Sequence, residues 1–194
     1  SIDKDIGYAV KYADISILSF HPVKSITTGE GGAILTNNKN YYLKAQSLRS
    51  HGVVRNKKLS NKYGNWYHEM RLLGSNHRLS EIHASLGLSQ LKRVKKFIAK
   101  RNKIAKYYDN LFCDKNLFKT PKVKKNIYHS YHLYPLLVNL RKIGKSKKQI
   151  FNEFLKKKIN LQVHYIPINT QPYYKKKYGF KKNSFKNSLE FYNK

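Results

Sequence analysis

Residues 19–32 read SFHPVKSITTGEGG and separate two predicted strands. The segment ADISILSF at 13–20 alternates apolar and polar side chains as a half-buried strand does, and AILTN at 33–37 follows as the second strand. The glycines of the connecting turn allow the backbone to pass close to a ligand. The sequence therefore predicts a loop that presents the hydroxyl of Ser19 and the amine of Lys24 to one small ligand.

Lys24 has two interpretations on this pattern. A lysine held away from water has a lowered pKa, and its neutral amine is a nucleophile for an aldehyde. An ordinary lysine is a solvated surface group, and the chain has 33 lysines from which composition does not separate this one. The local pattern leaves both interpretations open.

The helical pattern is strongest in the middle of the chain. Apolar residues recur with a period of about 3.6 over 79–111, which predicts one or two helices with a single buried face, interrupted at Gly87. A shorter helix is predicted over YYLKAQSLRSH at 41–51. The stretch 52–75 is polar and irregular, which predicts a long surface loop.

The C-terminal part of the chain predicts a strand, a helix and a second strand. These segments are SYHLYPLLVNL at 130–140, KSKKQIFNEFLKKK at 145–158 and LQVHYIPI at 161–168. This order is typical of an α/β unit. A polar stretch precedes it, and we predict two domains, at 1–115 and 116–194.

The charge of the chain is extreme, with 40 Lys and Arg against 10 Asp and Glu and a formal net charge of +30. A basic module that binds nucleic acid or another polyanion is one interpretation of this balance. However, only 7 of the cations are Arg, whereas phosphate and base recognition favours the planar Arg fork. An enzyme with a solvated, lysine-rich surface explains the composition better, so no specific nucleic-acid partner is expected.

Cysteine content and hydropathy exclude several other classes. No apolar run approaches the roughly 18–20 residues that cross a bilayer, so no membrane association is expected. Cys113 is the one cysteine of the sequence, which excludes an internal disulfide and a metal site built from several thiolates. These features favour a reducing, cytoplasmic location and predict no metal site.

The run SFHPVKSITTGEGG resembles the Schiff-base motif of the DegT/DnrJ/StrS-type nucleotide-sugar aminotransferases. The likeness continues in order through ADISILSF, GGAILTN, LRSHG, GSNHRLSEIHASLGLSQL at 74–91 and LQVHYIPI at 161–168. The resemblance implies an α/β protein with part of the aspartate-aminotransferase-like fold, type I of the enzymes that use pyridoxal 5'-phosphate. On this basis 1–115 would be the C-terminal portion of the large, cofactor-binding domain with connecting helices, and 116–194 part of the small domain.

The resemblance also implies roles for single residues. Lys24 would bond covalently to the aldehyde of pyridoxal 5'-phosphate, and Ser19 would hydrogen-bond its phosphate. Asn76 would reach the phosphate bound by a neighbouring subunit, which implies a homodimer; its alternative interpretation is a cap of the helix near Leu79. Four residues would line the nucleotide-sugar pocket: Gln162, Val163, His164 and Tyr165. On the sequence alone, His164 and Tyr165 at a strand end are more often ordinary packing or rim residues.

The implied reaction is transamination, with L-glutamate as the amino donor. The acceptor would be C4 of a UDP-4-keto-6-deoxy-N-acetylhexosamine, in the biosynthesis of pseudaminic acid or a related surface glycan. No Asp of this chain matches the family residue that pairs with the pyridine nitrogen, and Ser1 and Lys194 resemble cut ends. We therefore expect a fragment that is inactive alone. The polyanion-binding module and an inactive truncated gene product are the alternatives.

Overall fold

The structure of the chain is a computed structural model, and it describes residues 11–181 and 184–194. Within these residues the strands are β1 (Ser16–Ser19), β2 (Gly32–Leu35), β3 (Val53–Val54), β4 (Glu69–Met70), β5 (Phe118–Lys119) and β6 (Leu137–Val138). The helices there are α1 (Lys39–Arg49), α2 (Lys57–Tyr63), α3 (Glu81–Leu111), α4 (Leu140–Ile143), α5 (Lys147–Lys156), α6 (Pro172–Tyr178) and α7 (Lys186–Tyr192). The strands form three antiparallel pairs, β1 with β2, β3 with β4 and β5 with β6.

The described chain divides into two compact units. One contains the residues up to Asn102 together with Lys124–His132, and the other contains Lys103–Val123 and Leu133–Lys194. The predicted domains at 1–115 and 116–194 concern the complete fold and stay a prediction, and residues 1–10 lie outside the described chain.

The two strands predicted on either side of residues 20–31, which we call the lysine loop, are confirmed. Their register pairs Ser16 with Leu35 and Ser19 with Gly32, so that the hairpin closes directly at the ends of the loop. At the opposite end of the hairpin, away from the loop, the Thr36 hydroxyl donates to the Asp14 carbonyl at 2.7 Å. Ser19 is therefore held at the last paired position of β1, at the entrance of the loop.

The segment 52–75 is more regular than the predicted surface loop, so that prediction was wrong in part. Val53 pairs with Met70 to join β3 and β4, and α2 lies between them. The Asn56 side chain accepts from the Leu59 N–H at 3.0 Å and caps α2. Strands of two residues show no alternation in a sequence, which explains why the pattern looked irregular.

The long helix α3 is continuous through Gly87, so of the one or two helices predicted here the single helix is confirmed. A glycine inside a helix costs only about 1 kcal/mol relative to Ala, which a helix of this length tolerates. The Ser80 hydroxyl accepts from the His83 N–H at 3.3 Å and caps its first turn. The predicted helices over 41–51 and 145–158 are also confirmed, as α1 and α5.

Both strands predicted in the C-terminal part are corrected by the structure. In 130–140 only Leu137–Val138 is a strand, because Pro135 has no N–H to donate to a ladder. The segment 161–168 is not a strand, since it pairs with no described strand and leads into a single 3₁₀ turn at Ile168–Thr170.

Few apolar side chains are buried within the described residues. Ala105 is 3% exposed, whereas Ile17 on β1 and Ile82 on α3 are 77% and 81% exposed. The chain therefore gains little hydrophobic stabilisation from contacts among its own described side chains. No described helix is both long enough and apolar enough to cross a bilayer.

Candidate active site

The lysine loop, residues 20–31, is folded onto the backbone of Phe20. The Phe20 carbonyl accepts from the Thr28 N–H at 3.0 Å and from the Thr27 hydroxyl at 3.0 Å, while the Phe20 N–H donates to the Gly31 carbonyl at 2.9 Å. The Lys24 N–H donates to the His21 carbonyl at 2.9 Å. These bonds hold Lys24 at the far end of a short, closed loop.

Two glycines allow the lysine loop to turn back toward β2. Gly29 has a φ of 81° and Gly31 a φ of 151°, backbone conformations that favour glycine. A Cβ at Gly31 would also lie 2.9 Å from a methyl of Leu79 and 2.5 Å from the Thr28 hydroxyl. The Gly-rich pattern seen in the sequence thus has a geometric cause in this turn.

The lysine loop packs against α3 through Thr28. This side chain is 2% exposed, and its hydroxyl donates to the Glu30 carbonyl at 2.7 Å. A Cβ at Gly87 would lie 2.7 Å from the Thr28 Cγ2. Gly87 therefore makes room for the loop, which is the function of the residue that the sequence pattern presented as a helix break.

Arg101, also on α3, contacts the lysine loop directly. One terminal nitrogen, Nη2, donates to the Lys24 carbonyl at 3.1 Å. The residues are 77 positions apart in the chain, and no motif marks Arg101 among the many cations of α3. Sequence reasoning missed this contact because only the fold brings the two residues together.

The Lys24 side chain is half-buried, and its amine makes no hydrogen bond or ion pair with any described residue. The Ser19 hydroxyl is exposed and likewise makes no hydrogen bond with a described residue. In the same loop His21 Nε2 and Glu30 Oε1 lie 3.8 Å apart, and both side chains are exposed. The amine and the hydroxyl are thus available to a ligand.

Asn76 is held against the end of α1 in the same unit. It forms an antiparallel bridge with Ser50, and the neighbouring His77 N–H donates to the Arg49 carbonyl at 2.9 Å. Its Oδ1 accepts from Arg78 Nε at 3.0 Å, which orients the amide. Since Ser80 caps α3, the interpretation of Asn76 as the helix cap is wrong.

The four predicted pocket residues belong to the other unit. Gln162 and Tyr165 are exposed, whereas Val163 and His164 are half-buried. The rings of His164 and Tyr165 contact each other with their centroids 4.1 Å apart, and His164 Nδ1 is buried without a hydrogen-bond partner among the described residues. Polar and aromatic groups are therefore present on this segment, although it is not the predicted strand.

A family profile for the DegT/DnrJ/EryC1/StrS aminotransferases matches residues 3–194. The chain belongs to this family. Among its relatives, the UDP-4-amino-4,6-dideoxy-N-acetyl-beta-L-altrosamine transaminase of Campylobacter jejuni (strain 81-176) is 42% identical over 167 residues, 86% of this chain and 42% of that protein. The transaminase of the same name from Helicobacter pylori is 39% identical over 157 residues, 81% of this chain and 40% of that protein.

Solved aminotransferases share this fold. The structure of Helicobacter pylori PseC, an aminotransferase involved in the biosynthesis of pseudoaminic acid, has a TM-score of 0.82 and 35% identity, and the match covers 94% of this chain and 46% of that one. The expected α/β class, a part of the type I aminotransferase fold, is therefore confirmed. The chain spans about half the length of the DegT/DnrJ/EryC1/StrS relatives it matches.

Proposed function

We propose that the complete protein is a pyridoxal-phosphate-dependent aminotransferase of sugar nucleotides. In this reaction L-glutamate and a UDP-4-keto-6-deoxy-N-acetylhexosamine become 2-oxoglutarate and the 4-amino sugar, a step toward pseudaminic acid or a related surface glycan. The observation that carries the proposal is the half-buried Lys24, whose amine has no described partner, on a loop fixed to both a hairpin and α3. The named relatives support the substrate class.

The residues present fit pyridoxal 5'-phosphate. Lys24 would bond to its aldehyde, and the Ser19 hydroxyl at the end of β1 would donate to its phosphate. When bound, this group supplies the electron sink that makes the α-carbon of an amino acid acidic. Lys24 Nζ would then take the proton from the α-carbon of the donor and return one to C4 of the sugar, since one flexible amine reaches both positions.

Asn76 supports a dimeric site in this proposal. Its Oδ1 is occupied by Arg78, so its amide NH₂ remains to donate, as contact with a phosphate requires. We infer that it donates to the phosphate bound by the partner subunit of a homodimer. The residues Gln162, Val163, His164 and Tyr165 would contact the sugar nucleotide, and a cytoplasmic location stays a prediction.

The reaction is tested with the complete protein, purified with its cofactor. We expect it to convert L-glutamate and a UDP-4-keto-6-deoxy-N-acetylhexosamine to equal amounts of 2-oxoglutarate and the 4-amino sugar, measured by mass spectrometry. D-Glutamate serves as the control donor and should give no product. A protein without bound cofactor would contradict the reaction class, and a loaded protein that does not aminate this sugar would contradict the substrate.

A mixing experiment tests the role of Asn76. The Lys24→Ala and Asn76→Ala variants of the complete protein should each lose nearly all activity. If Asn76 acts across the dimer, refolding equal amounts together gives hybrids with one intact site, and about a quarter of wild-type activity should return. No recovery, although mass spectrometry detects the hybrids, would place Asn76 in its own subunit's site.

A further inference from the structure

Arg101 adds a hydrogen bond from α3 to those that the lysine loop makes within itself. Its Nη2 donates to the Lys24 carbonyl at 3.1 Å, while the Lys24 N–H donates to the His21 carbonyl at 2.9 Å. Both polar groups of the Lys24 backbone are therefore engaged. Neither bond uses the Lys24 side chain, which is left available.

The helix backbone that carries Arg101 is anchored at the next residue. The Asn102 side-chain amide donates to the His129 carbonyl at 2.8 Å and to the Ile98 carbonyl at 2.9 Å. This pair of bonds ties α3 to the segment around His129 within the same compact unit. Arg101 thus extends toward Lys24 from a fixed point of the helix.

The second terminal nitrogen of Arg101, Nη1, is buried and has no hydrogen-bond partner among the described residues. A buried donor without an acceptor is costly, so such groups are normally paired. The flanking cations Lys100 and Lys103 are exposed and supply no acceptor. A planar fork with one nitrogen on Lys24 and one unpaired points to a second acceptor beyond the described residues.

We propose that Arg101 is a positioning residue for Lys24, which holds its backbone through Nη2 while Nη1 takes an oxygen acceptor in the complete protein. The inference rests on the proposed role of Lys24 in bonding the cofactor. By holding the Lys24 carbonyl, the guanidinium fixes the point from which the Lys24 side chain extends. Arg101→Lys would keep the charge but not the two-sided fork.

The test compares Arg101→Ala and Arg101→Lys with a matched control on the same helix, Arg93→Ala, whose guanidinium lies over the Phe97 ring at 5.4 Å. In the complete protein we expect Arg101→Ala to slow covalent attachment of pyridoxal 5'-phosphate to Lys24 about tenfold, measured by borohydride trapping and peptide mapping. Arg101→Lys should slow attachment as well, because one ammonium does not replace the two nitrogens of the fork.

Hydrogen exchange of the cofactor-free protein gives a readout that does not depend on loading. Amides of residues 20–31 should exchange faster in Arg101→Ala and Arg101→Lys than in Arg93→Ala. Rates of attachment and exchange that match those of the Arg93→Ala control would overturn the role of Arg101, and Arg101→Lys provides the comparison if Arg101→Ala does not fold. No trapped cofactor on Lys24 of the unaltered protein would overturn this inference together with the proposed function.

Discussion

Replacing Lys24 by Ala in the complete protein is expected to abolish amino transfer, with a loss of at least about 10⁴-fold in kcat. The variant removes the only amine on the lysine loop, and with it both the covalent attachment point and the group that moves the proton. The visible absorbance of the attached cofactor should disappear at the same time. Steady-state assays and absorbance spectra of the purified variant measure the two effects.

Two further variants separate the amine from its charge. Lys24→Arg keeps a cation at this position but does not bond an aldehyde, so its loss should equal that of Lys24→Ala. Lys95→Ala removes an exposed lysine on α3 and should retain wild-type kinetics. Because the Lys24 amine has no described partner, Lys24→Ala should change the free energy of unfolding of the cofactor-free protein by less than about 0.5 kcal/mol. Retained absorbance in Lys24→Ala would assign the cofactor to another side chain.

Local sequence patterns predicted those parts of the fold whose signal repeats. The strands beside the lysine loop, α1, α5 and the long α3 all have periodic apolar side chains, and all are present. The same reasoning failed for 161–168, because a segment that resembles a strand does not by itself supply a neighbouring strand. It also failed for β3 and β4, whose two-residue lengths are too short for any period. Pairing depends on distant partners, which a local pattern does not contain.

Some residues of the candidate site were likewise recognisable from the sequence, and others were not. Lys24, Ser19 and the glycines after them are adjacent in sequence, so their motif was recognisable. Arg101 acts on Lys24 from a distant helix, and Gly87 looked like a helix break although it admits Thr28. These contributions depend on close packing and on contacts between residues far apart in the chain. No local sequence motif therefore reveals them. Packing against the lysine loop, rather than helix propensity, explains the residue at 87.

The second large effect is expected from a substitution of Gly52, in the turn that joins α1 to β3. Its N–H donates to the Ser47 carbonyl at 2.8 Å, and its own carbonyl accepts from the Arg71 N–H at 2.9 Å. Its φ is 71°, and a Cβ there would overlap the carbonyl of Leu72. The turn has therefore no space for a side chain, and it sets the position of residues 70–76.

Gly52→Ala should reduce the free energy of unfolding of the complete protein by about 3 kcal/mol or more, because left-handed strain adds to a backbone overlap. Gly144→Ala is the matched control, since Gly144 has a φ of 69° but would place its Cβ in open space. The strain alone should cost that variant about 1 kcal/mol. Chemical denaturation measures both values, and equal losses would show that the turn relaxes around the new methyl. Since Asn76 bridges to Ser50 two residues before Gly52, Gly52→Ala should also weaken cofactor binding below its unfolding temperature, whereas Gly144→Ala should not.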